Sequence, residues 1–99
     1  MTNYIWTDGS GYIELALTDE DIKSVPRSGP ADESIARMMS HDEDICARLN
    51  ALNPEKVRAI LKDYGAWSAA ELSDHPANLT RILWLAIGDI QEEPELFIQ

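Results

Sequence analysis

His41, His75, Cys46 and 18 aspartates and glutamates are the side chains of this 99-residue chain with chemistry to offer. A histidine acting as general base must reach a nucleophile and be oriented by a third group. Both histidines instead sit beside residues that start helices, Ser40 before His41 and Asp74 before His75, and no nucleophile elbow accompanies them. Catalysis is therefore not expected. His41, Asp42, Asp44 and Cys46 raise the idea of a metal site, but zinc draws on paired Cys or His motifs that are missing here. Asp42-Glu43-Asp44 also lacks the glycine and the terminal glutamate of a calcium loop. On a helix these side chains would point around the axis, so no metal and no cofactor is expected. Gly9-Ser10-Gly11 is too short for a phosphate loop and has no lysine after it; turn glycine is the simpler reading.

The carboxylates carry more information because they are unevenly placed. Residues 1–45 hold 10 of the 18 acids and only 3 of the 8 basic residues. Eight of these ten fall in three clusters: Asp19-Glu20-Asp21, Asp32-Glu33 and Asp42-Glu43-Asp44. One account is local, since each cluster lies where a first helical turn is expected and carboxylates there complement the helix dipole. The other is that the fold gathers them on one face, where they would meet an Arg/Lys surface that normally holds phosphates. On that second account Asp19, Glu20, Asp21, Asp32, Glu33, Asp42, Glu43 and Asp44 form the recognition set. Trp6, near a hairpin turn, is the candidate for an exposed anchor. Trp67 and Trp84 are expected in a core or lid role, because tryptophan is usually mostly buried.

The net charge of −10 reinforces the choice of partner. Such a field repels nucleic acid and anionic lipid and attracts a basic protein surface. It also keeps a soluble protein dispersed, so charge alone does not select between the two accounts. Direct nucleic-acid binding and membrane association are thus not expected. With one cysteine, an intrachain disulfide cannot form and the core must hold the fold. Met1-Thr2-Asn3-Tyr4 has no basic leader or apolar run, and the longest apolar run, Ile82 to Ile87, is too short to span a bilayer. A cytoplasmic setting in a host cell is expected.

The elements that must position these groups read as α+β. Tyr4-Ile5-Trp6 is aromatic and β-branched, and Thr7-Asp8-Gly9-Ser10-Gly11 supplies turn chemistry. Tyr12 to Leu17 then alternates, with Ile13, Leu15 and Leu17 on one face. A lone hairpin is marginal in water, so that face must pack on helices. Thr18 caps a short helix that ends at Val25-Pro26-Arg27-Ser28-Gly29-Pro30. Asp32 to Met39 suits a short helix burying Ile35, Met38 and Met39. Ser40 with Glu43 reads as a capping box opening a helix that buries Ile45, Cys46, Leu49 and Leu52. Asn53-Pro54 starts another, with Val57, Ile60, Leu61 and Tyr64 at helical spacing and Gly65 as the stop. Ser68 and Glu71 form a further capping box at a brief turn. Asp74-His75-Pro76 opens the longest helix, to about Gln91, whose stripe is Leu79, Ile82, Leu83, Ala86, Ile87 and Ile90. Gly88 is expected to admit a close neighbour.

The expected architecture is one domain over 1–99. A two-stranded antiparallel hairpin (1–17) packs on a bundle of four to five short helices (18–91). A C-terminal tail (92–99) carries Leu96-Phe97-Ile98, which either folds back or touches a partner. A domain of this length buries roughly 60–70 % of its unfolded surface, and a hydrophobic content of 44 % suffices for one core.

Tyr64-Gly65-Ala66-Trp67, Leu72-Ser73-Asp74-His75, Asn78-Leu79, Arg81-Ile82-Leu83-Trp84 and Gly88-Asp89-Ile90 resemble a set of small proteins encoded by phages and prophages. Tyr12-Ile13-Glu14-Leu15, Ser28-Gly29 and Asp32-Glu33 are similar to theirs too, so the resemblance covers most of residues 12–90. It implies origin in a mobile element and carries no catalytic motif. Size, acidity and that origin together resemble anti-CRISPR proteins, many of which block a CRISPR surveillance complex by stoichiometric binding at basic surfaces that otherwise contact target DNA. The resemblance implies an inhibitor whose acidic face engages a basic surface of a CRISPR–Cas effector. The alternative expectation is a phage structural or assembly adaptor docking through Leu96, Phe97 or Trp6.

Overall fold

A computed structural model describes residues 2–25 and 32–98, with the side chains of Asp32, Glu33 and Ser34 outside the description. The architecture is α+β: among the described residues a two-stranded antiparallel sheet is followed by five helices. Strand β1 (Asn3–Thr7) pairs with β2 (Glu14–Thr18), and the register sets Tyr4 opposite Leu17 and Trp6 opposite Leu15. Alternation puts these four side chains on the inner face and leaves Asn3, Thr7, Glu14 and Ala16 exposed. β2 starts at Glu14 rather than Tyr12 because the Asp8 carboxylate takes the Ile13 N–H (2.6 Å) for the turn. Ile13 is still buried with Leu15 and Leu17, as the alternation predicts.

The helices are α1 (Asp19–Ser24), α2 (Asp32–His41), α3 (Glu43–Asn50), α4 (Pro54–Tyr64) and α5 (His75–Glu92). Most starts are the ones local chemistry dictates. Thr18 and Asp21 form a reciprocal capping box on α1. Asn53 Oδ1 accepts from the Glu55 and Lys56 N–H groups at the start of α4, and Gly65 ends that helix at φ 72°, a left-handed conformation that costs glycine little. Ser68 and Glu71 bond reciprocally at a single 3-10 turn, Glu71–Ser73. The start of α3 differs from expectation. Ser40 lies in the last turn of α2, donating its hydroxyl to the Arg37 carbonyl, and Asp42 caps α3 by accepting from Ile45 N–H at 3.0 Å. A carboxylate one residue before the first turn is a stronger acceptor than a hydroxyl three residues back, so α2 runs on to His41.

Helix α5 is the axle of the core. It touches α1, α2, α4, β1 and both 3-10 turns. Leu79, Ile82, Leu83, Ala86, Ile87 and Ile90 are all buried. They meet Tyr4, Trp6, Leu15 and Leu17 from the sheet, Ile35 and Met38 from α2, Ile45 and Leu49 from α3, and Val57 and Leu61 from α4 in one cluster. Met39, Leu52 and Ile60 are packed on its margin. Gly88 admits no close neighbour: a Cβ built there meets nothing within 4 Å. It lies away from the buried stripe, on the solvent side. The tail folds back. After a 3-10 turn (Pro94–Leu96), Phe97 O accepts from Ile5 N–H at 2.8 Å and Ile98 bridges to Tyr4, extending the sheet past β1. No helix among the described residues is long and apolar enough to cross a membrane. The loop expected over 26–30 lies outside the described residues.

Candidate functional site

Two of the three acidic clusters meet. Glu20 and Asp21 on α1, Asp42 between α2 and α3, and Glu43 and Asp44 on α3 line one open hollow of about 700 Å³. Arg37, Ser40 and His41 from the end of α2 complete its wall, with Ser24 and Met38. The gathering follows from local rules applied twice. The capping boundary at Thr18 and the one at Asp42 each place acids in a first turn, and the packing of α2 on α5 and α3 brings the two turns to the same rim.

The carboxylates of the predicted set are not equivalent. Asp19 is engaged: it pairs with Lys23 at 2.9 Å and accepts from the Tyr4 hydroxyl at 3.3 Å. Lys23 beside it holds its carboxyl below the usual carboxylate range. Asp21 accepts from Thr18 N–H at 2.9 Å and Asp42 from Ile45 N–H, so both are partly spent on capping while still facing the hollow. Glu20, Glu43 and Asp44 are exposed and make no hydrogen bond or ion pair among the described residues. These three are the carboxylates free to meet a partner. Asp32 opens α2 and Glu33 follows it, with side chains outside the described residues. Lys23–Asp19 is the one ion pair found among the described residues, so most of the acidic excess is uncompensated.

Trp6 must be removed from the set. It is 1 % exposed, packed under the sheet, and its indole N–H donates to Asp89 Oδ2 at 2.9 Å. The alternation that buries Leu15 buries its cross-strand partner as well, so a residue close in sequence to the turn still points inward. The exposed indole is Trp84, 47 % accessible on α5, against the expectation of a core role. Trp67, half-buried, packs edge-on against it with ring centroids 6.2 Å apart. Arg81 lies over the Trp67 ring at 5.6 Å.

Two polar residues outside the expected recognition set organise the scaffold. Asp8 is 5 % exposed and accepts from Ser10 N–H, the Ser10 hydroxyl and Ile13 N–H, closing the hairpin loop. Burial pushes its carboxyl up, and these hydrogen bonds outweigh burial to leave it below its ordinary value. The Asp-Gly-Ser-Gly run was the available signal for such a turn. Asn78, buried on α5, donates to Leu72 O at 2.8 Å and accepts from Arg81 at 2.9 Å, tying the 3-10 turn to the long helix. His41 stands at the rim of the hollow, whereas His75 opens α5 with a buried Nδ1 that has no partner among the described residues. No group of three or more His, Cys, Asp or Glu side chains among the described residues is disposed to hold a metal ion.

The class that the fold defines is a small α+β domain with an acidic hollow at the junction of its short helices. Compared with known proteins, the chain finds no match to a family model, to a curated protein or to a solved structure.

Proposed function

We propose that this chain is a non-enzymatic inhibitor of phage or prophage origin, which binds a Lys/Arg surface of a host CRISPR–Cas surveillance complex and keeps target DNA from it. The observation that carries the reading is the convergence of Glu20, Asp21, Asp42, Glu43 and Asp44 on one hollow. Opposite charges brought together at a partly desolvated interface form charge-assisted hydrogen bonds, and the acidic field accelerates encounter at low salt. The charge scale argues for local occlusion. B-DNA as long as the molecule's 38 Å axis carries ~22 phosphates, against a net charge of −10. The protein therefore covers a patch of cations rather than imitating a long duplex.

The test is a triple reversal, Glu20→Lys, Glu43→Lys and Asp44→Lys, which spares the capping carboxylates. In a CRISPR-immune host, the wild-type chain should restore phage plaquing and the triple variant should not. With a purified surveillance complex, affinity should fall by ten-fold or more, and its dependence on salt should flatten. Equal inhibition by both chains would discard the mechanism. The adaptor reading is narrowed: Trp6 is buried and Phe97 is docked on β1, which leaves Leu96 and Ile98 as its exposed apolar contacts. Its partner binding would vary little with salt.

A further inference from the structure

The geometry points to the outer edge of β2 as a docking site for an extended segment of a partner protein. That segment is added as a further strand, with aliphatic side chains turned inward and lysine or arginine turned outward. The site is separate from the acidic hollow and owes nothing to the CRISPR assignment.

The two edges of the sheet are finished differently. At β1 the tail covers the edge: Ile5 N–H donates to Phe97 O at 2.8 Å, and Ile98 bridges to Tyr4. At β2 no chain among the described residues does so. Main-chain groups of Ile13, Leu15, Leu17 and Asp19 face β1. The bonds from Asp8 N–H to Ile13 O (3.2 Å) and from Asp19 N–H to Thr2 O (3.0 Å) fix that phase at the two ends. Those of Glu14, Ala16 and Thr18 therefore point off the edge. Thr18 N–H is taken by the Asp21 carboxylate at 2.9 Å. Glu14 and Ala16 keep their N–H and C=O groups without a partner among the described residues. Two donors and two acceptors in a row are matched by an extended main chain, so the edge itself selects a strand.

The side chains of that strand follow from the two faces it joins. α3 packs against β2 and leaves an open hollow of about 250 Å³, walled by Leu15, Ala51, Leu52 and Arg48. A strand laid along β2 turns every second side chain toward the α3 side, where the hollow has room for a valine or leucine. Arg48 on its wall, in no ion pair among the described residues, keeps a second cation out. On the outer face the neighbours are Ala16 and Glu14, both exposed, and Glu14 has no ion pair among the described residues either. Opposite charges on neighbouring strands attract, and a net charge of −10 favours a basic segment over an acidic one. A second copy is the poorer occupant. Paired through Ala16 about a two-fold axis, it would set each Glu14 beside the Thr18-Asp19-Glu20 turn of the other copy and bring −10 against −10.

The test adds acetyl-Lys-Val-Lys-Val-Lys-amide to 15N-labelled protein at physiological salt and follows the main-chain amides. Those of Glu14 and Ala16 should shift saturably and exchange more slowly with solvent, while that of Ile5, already bonded to Phe97, stays in place. Two N-methylated peptides, one blocked at its lysine nitrogens and one at its valine nitrogens, should differ. Only one phase of N–H groups faces β2, so one version loses binding and the other keeps it. Replacing the lysines by glutamates should abolish the shifts, and Glu14→Gln should weaken binding about three-fold. The inference is overturned if the Glu14 and Ala16 amides do not move, if both methylated peptides bind like the parent, or if the glutamate peptide binds as well. It is also overturned if these amides shift with protein concentration alone, which would make a second copy the occupant.

Discussion

Carboxylates at the hairpin–α5 junction and carboxylates at the α1–α3 junction have opposite fates. At the first, Asp8 closes the turn and Asp89 receives the Trp6 indole, so both are saturated by the chain's own donors. At the second, Glu20, Glu43 and Asp44 face an open hollow and bond to nothing among the described residues. Burial separates the two groups. An acid taken out of water must be given donors, whereas one left at the rim can keep its lone pairs for a partner. These five carboxylates thus fall into two groups, one bonded within the fold and one left open to solvent.

Truncations should report that division as a descending series in stability. Trp6→Ala should have the largest effect, a loss of about 3–5 kcal/mol in urea unfolding, because it empties the volume under the sheet and strands Asp89. Asp8→Ala should cost about 1–3 kcal/mol by leaving Ile13 N–H and the Ser10 donors unpaired. Its signature is pH dependence. The folded carboxyl lies below its ordinary value of 3.8, so its stabilisation is complete above that pH and is lost as pH falls through the lower folded value. Acid unfolding of Asp8→Ala, followed by circular dichroism, should accordingly be flatter below pH 3.8 than that of the wild type. Asp42→Ala should cost about 1 kcal/mol through loss of the α3 cap. Glu20→Gln, Glu43→Gln and Asp44→Asn should each shift stability by only about 0.5 kcal/mol or less while weakening partner binding. A large loss of stability in any of these three would erase the contrast between the two junctions.

The legible parts of the fold were those fixed within a few residues. Asn53-Pro54 and Gly65 delimit α4 because a cap, a preset φ and a left-handed stop act locally. The stripe Leu79 to Ile90 marked the buried face of α5 for the same reason. The α2–α3 boundary was misplaced because two acceptors, Ser40 and Asp42, compete for one helix start, and the choice depends on how far α2 can run before turning. The tryptophans were exchanged for a related reason. Hairpin pairing determines that Trp6 points inward, and the docking of the 66–74 segment determines that Trp84 supports a loop at the surface. Asn78 and Gly88 gave no local sign of being, respectively, a buried tie and an open notch.

By itself the chain's order of residues determined the starts of α1, α4 and α5, the hairpin, the acidity and the placing of acids in first turns, since each of these is decided by neighbours within a turn or two. Which of those acids share a rim, which indole is hidden and which stands out, and where the tail lies were decided only by tertiary packing. The reason is geometric: side chains far apart in sequence acquire a common surface only after α5 has gathered the sheet and the short helices around it.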